Sequence, residues 1–387
     1  MISIRDKKDC CGCTACASIC PKGAIFMEPD ALGFIYPEVD VSLCIECGLC
    51  DKVCAFNESY EKFTDFEAPI PYGIRHRDMK TLMDSQSGGA FTALSDVVLD
   101  RGGVVYGAGW SDDFVVVHKR AETKEQRNAL RGSKYVQSDL RGVFAQVKQD
   151  LKEGREVLFS GTPCQVAGLK SFIGKNKSEN LITVDIICHG VPSPSIFEDN
   201  KQRLEHQYKG KIQHINMRNK VRFGHPSHIE SYLINDKYYH DYRFTYLFYK
   251  HIMLRPSCGE CHYCSLQRSG DITIADYWGI EKAAPEFDDN KGISLVLVNN
   301  EAGEKAFEKV KEGLIWKKTK LEDSMQPPLK APFPKPENRD QFWSDFENKS
   351  FEYVAKKYGG IGFKNDAKSF MRKIKRKIKK LVVKGGK

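Results

Sequence analysis

Eleven of the fourteen cysteines fall into three short runs, spaced like iron–sulfur ligands rather than spread out like a disulfide framework. Cys10, Cys13, Cys16 and Cys20 follow C-x2-C-x2-C-x3-C, with Pro21 behind them. Cys44, Cys47, Cys50 and Cys54 repeat the spacing, with Ala55 where a second proline is expected. In such paired runs three close thiolates grip one cubane, and the fourth cysteine crosses to the other cluster. The reading is therefore Cys10, Cys13, Cys16 and Cys54 on one 4Fe-4S cluster, and Cys44, Cys47, Cys50 and Cys20 on a second. Cys11 lies off the spacing and reads as a non-ligating thiol. Cys258, Cys261 and Cys264 share the C-x2-C-x2-C step but have no fourth member. Zinc is the alternative for any such run; two full copies of the four-cysteine spacing weigh against it.

Three turns look suited to an anion. "DSQSGGAFTAL" places Ser87, Gly88 and Gly89 at a predicted helix N-terminus, where free N–H groups and the helix dipole favour a phosphate. "FSGTPCQ" does the same with Gly161 and Thr162, and "LRGSKYVQSDL" supplies Arg131, Lys134 and Tyr135. One such turn is ordinarily only a cap. Three in one unit that already carries cluster cysteines point to a phosphate-bearing cofactor, and a flavin converts single electrons into two-electron chemistry.

The elements that would position these groups alternate. "VVYGAGW", "REVLFSG", "NLITVDII" and "GISLVLVNN" read as strands, and helices are predicted after Gly89, after Thr162 and over about 302–312. Expected is a mixed, mostly parallel α/β sheet domain preceded by a small α+β ferredoxin-like domain. The divisions are 1–56 for the ferredoxin-like domain, 57–71 for a linker, and 72–150 and 151–319 for the two regions of the main domain. Residues 320–363 read as an extended wrapping segment and 364–387 as a basic amphipathic tail. "DYRFTYLFYKHIMLRPSC" reads as an aromatic-rich helix, its rings packing a core rather than stacking bases. The segment "RNKVRFGHPSHIESYLIND" reads as a loop over an acceptor pocket.

Charge supports this division. The 387-residue chain is 41% hydrophobic and 29% charged, with a net charge of +9, yet residues 364–387 hold eleven Lys and Arg against one Asp. The remainder is near neutral, which argues against nucleic acid as a partner. Phe370, Met371, Ile374, Ile378, Leu381 and Val382 share one helical face of the tail, a pattern that suits an anionic membrane surface. No apolar run is long enough to span a bilayer and the start has no signal-peptide core, so a cytoplasmic protein is expected, peripheral at the inner membrane surface if the tail binds it.

"SQSGGAFTAL", "GGVVYGAGW", "LRGSKYVQS", "VLFSGTPCQVAGLK", "VDIICHGVPSP" and "CGECHYC…SGDITIADYWG" together resemble the coenzyme F-420 hydrogenase/dehydrogenase beta-subunit family over residues 72–300. With its ferredoxin-type front, the chain looks like the bacterial branch, which is often associated with polysaccharide biosynthesis. The resemblance implies FAD and a 4Fe-4S cluster on a mixed α/β fold. It implies FAD contacts from Ser87, Gly88, Gly89, Lys134, Gly161 and Thr162, and a third cluster on Cys258, Cys261 and Cys264. Cys188, at the end of an apolar strand, is favoured as the fourth ligand. Cys164, in a helix-starting turn that would lower a thiol pKa, is the alternative and also a candidate reactive thiol. His189 is a candidate proton donor, and Asp271 and Asp276 are read as shaping the cluster loop. The expected function is an oxidoreductase passing electrons between a ferredoxin-like partner and an unknown small-molecule acceptor. The alternative is a non-catalytic electron-transfer subunit.

Overall fold

The computed structural model describes residues 2–4, 6–57, 60, 66–174 and 179–360. Part of the 57–71 linker and the whole tail 364–387 lie outside the described residues.

The repeated cysteine spacing is also a repeated backbone conformation. Gly12 and Glu46 precede the second cysteine of their runs with φ of 71° and 53°. Thr14 and Gly48 follow it with φ of 67° and 71°. Left-handed residues on both sides of the middle cysteine curl each run into a loop. Short helices, Ala15–Ile19 and Leu49–Lys52, carry each loop onward. An antiparallel hairpin, β1 (Ile25–Pro29) and β2 (Ile35–Val39), joins the two halves.

The main domain begins with β3 (Ile70–His76), β4 (Val104–Trp110), β5 (Val116–Ala121), β6 (Val157–Gly161) and β7 (Leu181–Ile186). β8 (Ile212–Asn216), β9 (Glu230–Ile234) and β10 (Lys237–Asp241) form a separate antiparallel sheet, and β11 (Ile272–Asp276), β12 (Ser294–Val298) and β13 (Leu314–Lys318) return to the large one. Its order is β13-β3-β12-β11-β7-β6-β4-β5. The fold class is the expected mixed α/β, but the sheet is not mostly parallel: only the central pairs β11–β7, β7–β6 and β6–β4 are parallel, three of its seven pairs. The flanking strands are antiparallel. The chain between β4 and β5 is too short for a parallel crossover.

The helix Pro163–Ile173 follows β6 directly. Proline at its first position costs no hydrogen bond, and Gln165 Oε1 accepts from the Thr162 N–H at 2.9 Å. It is buried on nearly all sides because it is a shared wall. Val166, Ala167 and Leu169 join one core with Ile2, Cys13, Cys16 and Phe56 of the front domain and with Phe144 and Phe159. Phe34 and Tyr36 of the hairpin region join another with Phe244 and Phe342.

Two further expectations change. The segment read as extended wrapping is helical at Arg339–Asn348 and Phe351–Gly359, because Phe342, Trp343, Phe351 and Val354 bury a helical stripe; the proline-rich part before them is mostly irregular. The aromatic stretch 241–258 is a short helix at Arg243–Phe248 followed by turns and a 3-10 turn at Pro256–Glu260 rather than one helix, with Phe244, Leu247 and Phe248 in the core as expected.

Candidate functional site

The front domain gathers its cysteines in two groups. Burial raises the Cys16 thiol pKa, followed by the charges of Cys13, Cys10 and Cys54. Burial and then Cys13 push Cys54 up to about 11. Cys20, Cys44, Cys47 and Cys50 instead line a separate small cavity. In both runs the first thiol receives a backbone N–H from two residues on: Gly12 to Cys10 Sγ and Glu46 to Cys44 Sγ, each at 3.4 Å.

A third thiol cavity lies inside the main domain. Cys258, Cys261 and Cys264 line it together with Cys188, Cys164 and Cys11. Cys188 shares the local geometry of Cys10 and Cys44, with the Gly190 N–H donating to its Sγ at 3.3 Å. The Val191 N–H donates to Cys258 Sγ at 3.3 Å. Cys164 Sγ is instead 3.2 Å from Thr162 Oγ1. Cys11, set aside on its spacing, is buried and hydrogen-bonds Cys13 and Cys164. The front domain helps close this cavity: Phe56 lines it and stacks on His262 at 4.7 Å between centroids, and Tyr263 donates to the Ala55 carbonyl. Among the described residues, no group of three or more His, Cys, Asp or Glu side chains is arranged to hold a single metal ion.

A larger cavity of about 320 Å³ opens at the carboxyl ends of β6, β7 and β11, where open α/β sheets bind ligands. Ser87, Gly89, Lys134, Gly161 and Thr162 line it. Gly88 does not. Its N–H donates to Ser294 Oγ at 2.8 Å, its carbonyl accepts from the His76 N–H at 2.7 Å, and a Cβ there would collide with Ile74 O and Ser294 N. Strand packing therefore requires this glycine, and a sequence cannot distinguish that need from a phosphate cradle. Lys134 Nζ donates to the Arg131 carbonyl at 2.8 Å, and burial lowers its pKa to about 7.

The cavity walls also carry unmet polar groups. Gln86 Nε2, His118 Nδ1 and His189 Nδ1 are buried, without a hydrogen-bond partner, on residues that line it. Burial holds His118 neutral, with a pKa near 4, and its Nε2 donates to the Ser160 carbonyl at 3.0 Å, so Nδ1 presents a lone pair. Burial likewise lowers the His189 pKa.

The segment after β8, read as a loop over an acceptor pocket, does form the opposite wall, but sequence reasoning singled out none of its residues. Arg218 and His228 from that segment line the cavity with Tyr249, Asp276 and Trp278. Asp276 accepts from Arg218 Nη1 at 2.5 Å and lies 2.9 Å from His225 Nε2. Burial alone would raise its pKa, but Arg218 and His225 hold the carboxyl well below the usual range. Asp271 is buried away from the cavity, accepting from Thr183 and Asn300 at 2.7–2.9 Å.

The two cavities share a wall. Thr162 and residues 188–191 line both, so Cys188 and His189 separate the thiol set from the larger cavity by a single stretch of backbone.

Known proteins match two parts of the chain. Residues 154–324 match the family model for the C-terminal part of the coenzyme F420 hydrogenase/dehydrogenase beta subunit, and residues 9–57 match the 4Fe-4S dicluster domain. The F subunit of the F(420)H(2) dehydrogenase of Methanosarcina mazei is 21% identical over 193 residues, covering 46% of this chain. The match spans about half that relative's length, 53%. An uncharacterized ferredoxin of Methanocaldococcus jannaschii is 37% identical over 54 residues, 14% of this chain and 69% of the ferredoxin. A structure of the F420-reducing [NiFe] hydrogenase complex from Methanosarcina barkeri aligns at a TM-score of 0.44 and 18% identity, over 73% of this chain and 95% of that one. Residues 154–324 belong to the coenzyme F420 hydrogenase/dehydrogenase beta-subunit family, and residues 9–57 form a 4Fe-4S dicluster domain in front of them.

Proposed function

We propose that this chain is an oxidoreductase that relays electrons between a ferredoxin-type partner and a two-electron organic acceptor. The observation that carries the reading is the wall at residues 188–191, which sets a cavity ringed by six thiols against a cavity with unmet polar groups. Clusters supply single-electron carriage and FAD supplies the step from one electron to two. The dicluster ligands are Cys10, Cys13, Cys16 and Cys54, and Cys44, Cys47, Cys50 and Cys20. Cys258, Cys261, Cys264 and Cys188 would hold a third cluster, a choice supported by the N–H···S contact that Cys188 shares with Cys10 and Cys44.

Ser87, Gly89, Lys134, Gly161 and Thr162 would bind FAD, with the Lys134 ammonium facing phosphate and the Gln86 amide and His118 Nδ1 offering one donor and one acceptor. Gly88 holds the loop in place without touching the ligand. Tyr249, Trp278 and His228 remain for the acceptor, and His189, between the cavities, is the candidate to hold a proton for it. Anaerobic purification with iron, sulfide and flavin analysis tests the reading: about twelve irons and one FAD are expected, and about eight irons without flavin overturn it.

The Methanosarcina mazei relative is one component of a larger dehydrogenase, which favours a second reading, an electron-transfer protein feeding a partner enzyme. Turnover of a two-electron acceptor by the purified chain alone would exclude it. We further propose that the tail brings the protein to an anionic membrane surface from the cytoplasmic side. Among the described residues no helix is long and apolar enough to cross a membrane.

A further inference from the structure

Arg255 is 1% exposed, the most deeply buried arginine of the described residues. The other arginines buried to 3% or less each meet a carboxylate: Arg127 with Asp96, Arg218 with Asp276 and Arg268 with Asp185. Among the described residues no carboxylate lies within ion-pair distance of Arg255. Its guanidinium donates instead to neutral oxygens and one sulfur: Nε to the Cys10 carbonyl at 2.8 Å, Nη1 to Gln137 Oε1 at 2.9 Å, Nη2 to the Ile35 carbonyl at 2.9 Å and to Cys10 Sγ at 3.7 Å. Tyr36 presents its ring face 4.1 Å from the guanidinium carbon.

A permanently charged group buried without a counter-ion is costly. An iron–sulfur cluster on four thiolates is anionic and gains one more negative charge on reduction, so the place for Arg255 is beside such a cluster. The backbone is shaped to admit it. Gly12, at φ +71°, has no space for a side chain, since a Cβ would sit 2.7 Å from Gln137 Nε2 and 3.0 Å from Arg255 Nη1. Arg255 also reaches the third thiol set through its backbone, its carbonyl accepting from the Cys258 N–H at 3.0 Å.

We infer that Arg255 is the counter-charge of the cluster held by Cys10, Cys13, Cys16 and Cys54, raising that cluster's reduction potential and tying its ligand Cys10 to Cys258. It is a positioning and tuning residue, resting on the proposal that those four cysteines hold a cluster. The electron that adds the negative charge comes from the ferredoxin-type partner. Without the guanidinium the reduced cluster loses the cation that donates to its Cys10 sulfur, while the oxidised cluster loses less.

The test is an EPR-monitored redox titration of the purified holoprotein and of Arg255→Gln and Arg255→Lys, with iron counted in each. In Arg255→Gln one 4Fe-4S signal is expected at lower potential, its reduced-to-oxidised ratio at fixed potential falling at least about tenfold, or about 59 mV for a one-electron couple. Arg255→Lys, which keeps the charge, is expected to move it less than half as far. Unmoved signals in an iron-replete Arg255→Gln, or equal shifts in both variants, overturn the inference. Should Arg255→Gln lose iron, Gln137→Glu decides. It keeps the arginine but neutralises it at 2.9 Å, so a downward shift supports the inference and an unmoved potential overturns it. A wild-type protein lacking the front-domain clusters would instead fail the proposed function, a result the iron count separates.

Discussion

Gly168 lies against Cys13: a Cβ on this glycine would stand 2.7 Å from the sulfur and 2.9 Å from the Cys13 Cβ. The helix that follows β6 therefore touches a dicluster cysteine with bare backbone. Gly168→Ala, harmless to a free helix, is expected to destabilise the protein by roughly 1–3 kcal/mol through overpacking. It should also speed loss of iron from the cluster nearest Cys13. Bleaching of visible absorbance under air would read this; a bleaching rate equal to wild type would show that the contact relaxes freely.

The two candidates for the fourth ligand predict different iron counts. Cys188→Ser is expected to lose about four irons of about twelve, whereas Cys164→Ser keeps them all. The reverse result would move the ligand to Cys164, and full loading in both would remove the third cluster from either.

Lys134 would give the proposed FAD site a pH dependence. Burial lowers its pKa to about 7, so the amine is cationic at pH 6 and largely neutral at pH 9. FAD affinity of the reconstituted protein should therefore fall as pH rises. Lys134→Ala should bind about 10- to 100-fold more weakly at pH 6 and lose that pH dependence. Flavin fluorescence titrations at both pH values check this.

Glu230 is fully buried, accepting from Thr245 N–H at 2.7 Å and from the Tyr232 and Thr245 hydroxyls. Burial, reinforced by the charge of Asp241, raises its pKa to about 7. The folded state thus holds its proton more tightly than the unfolded chain. The stability this contributes is complete below about pH 4.5 and is lost as pH rises towards 7, a swing of about 2–4 kcal/mol. Glu230→Gln should melt increasingly above wild type between pH 6 and pH 8. A constant gap in Tm would mean that the carboxyl is ionised throughout.

Removal of residues 364–387 is expected to abolish co-sedimentation with vesicles containing anionic lipid while leaving iron content intact. Unchanged co-sedimentation would remove the membrane role of the tail.

What sequence alone made legible was local. The doubled cysteine spacing dictated the doubled left-handed turns, and the apolar runs at 104–110, 157–161, 181–186 and 294–298 became the strands β4, β6, β7 and β12. What it hid was tertiary. Cys11 gained its place only when residue 164 arrived beside it, and Arg255 is distinguished by the carboxylate it lacks, which no window of sequence displays. Gly88 looked like a phosphate cradle because a glycine required by a neighbouring strand is written with the same letter.

The thiol cavity closed by Cys11 and Phe56 also bears on how the protein is made. Residues 11 and 56 leave the ribosome well before the rest of the cavity they help close, which is built from residues between 162 and 328. The front domain can acquire its metal early, but the inner thiols stay open to solvent and oxidants until the domains meet. The boundary near residue 56 therefore divides the sequence and not the assembly: a version shortened at that point would lose the dicluster domain and also expose the inner thiol cavity.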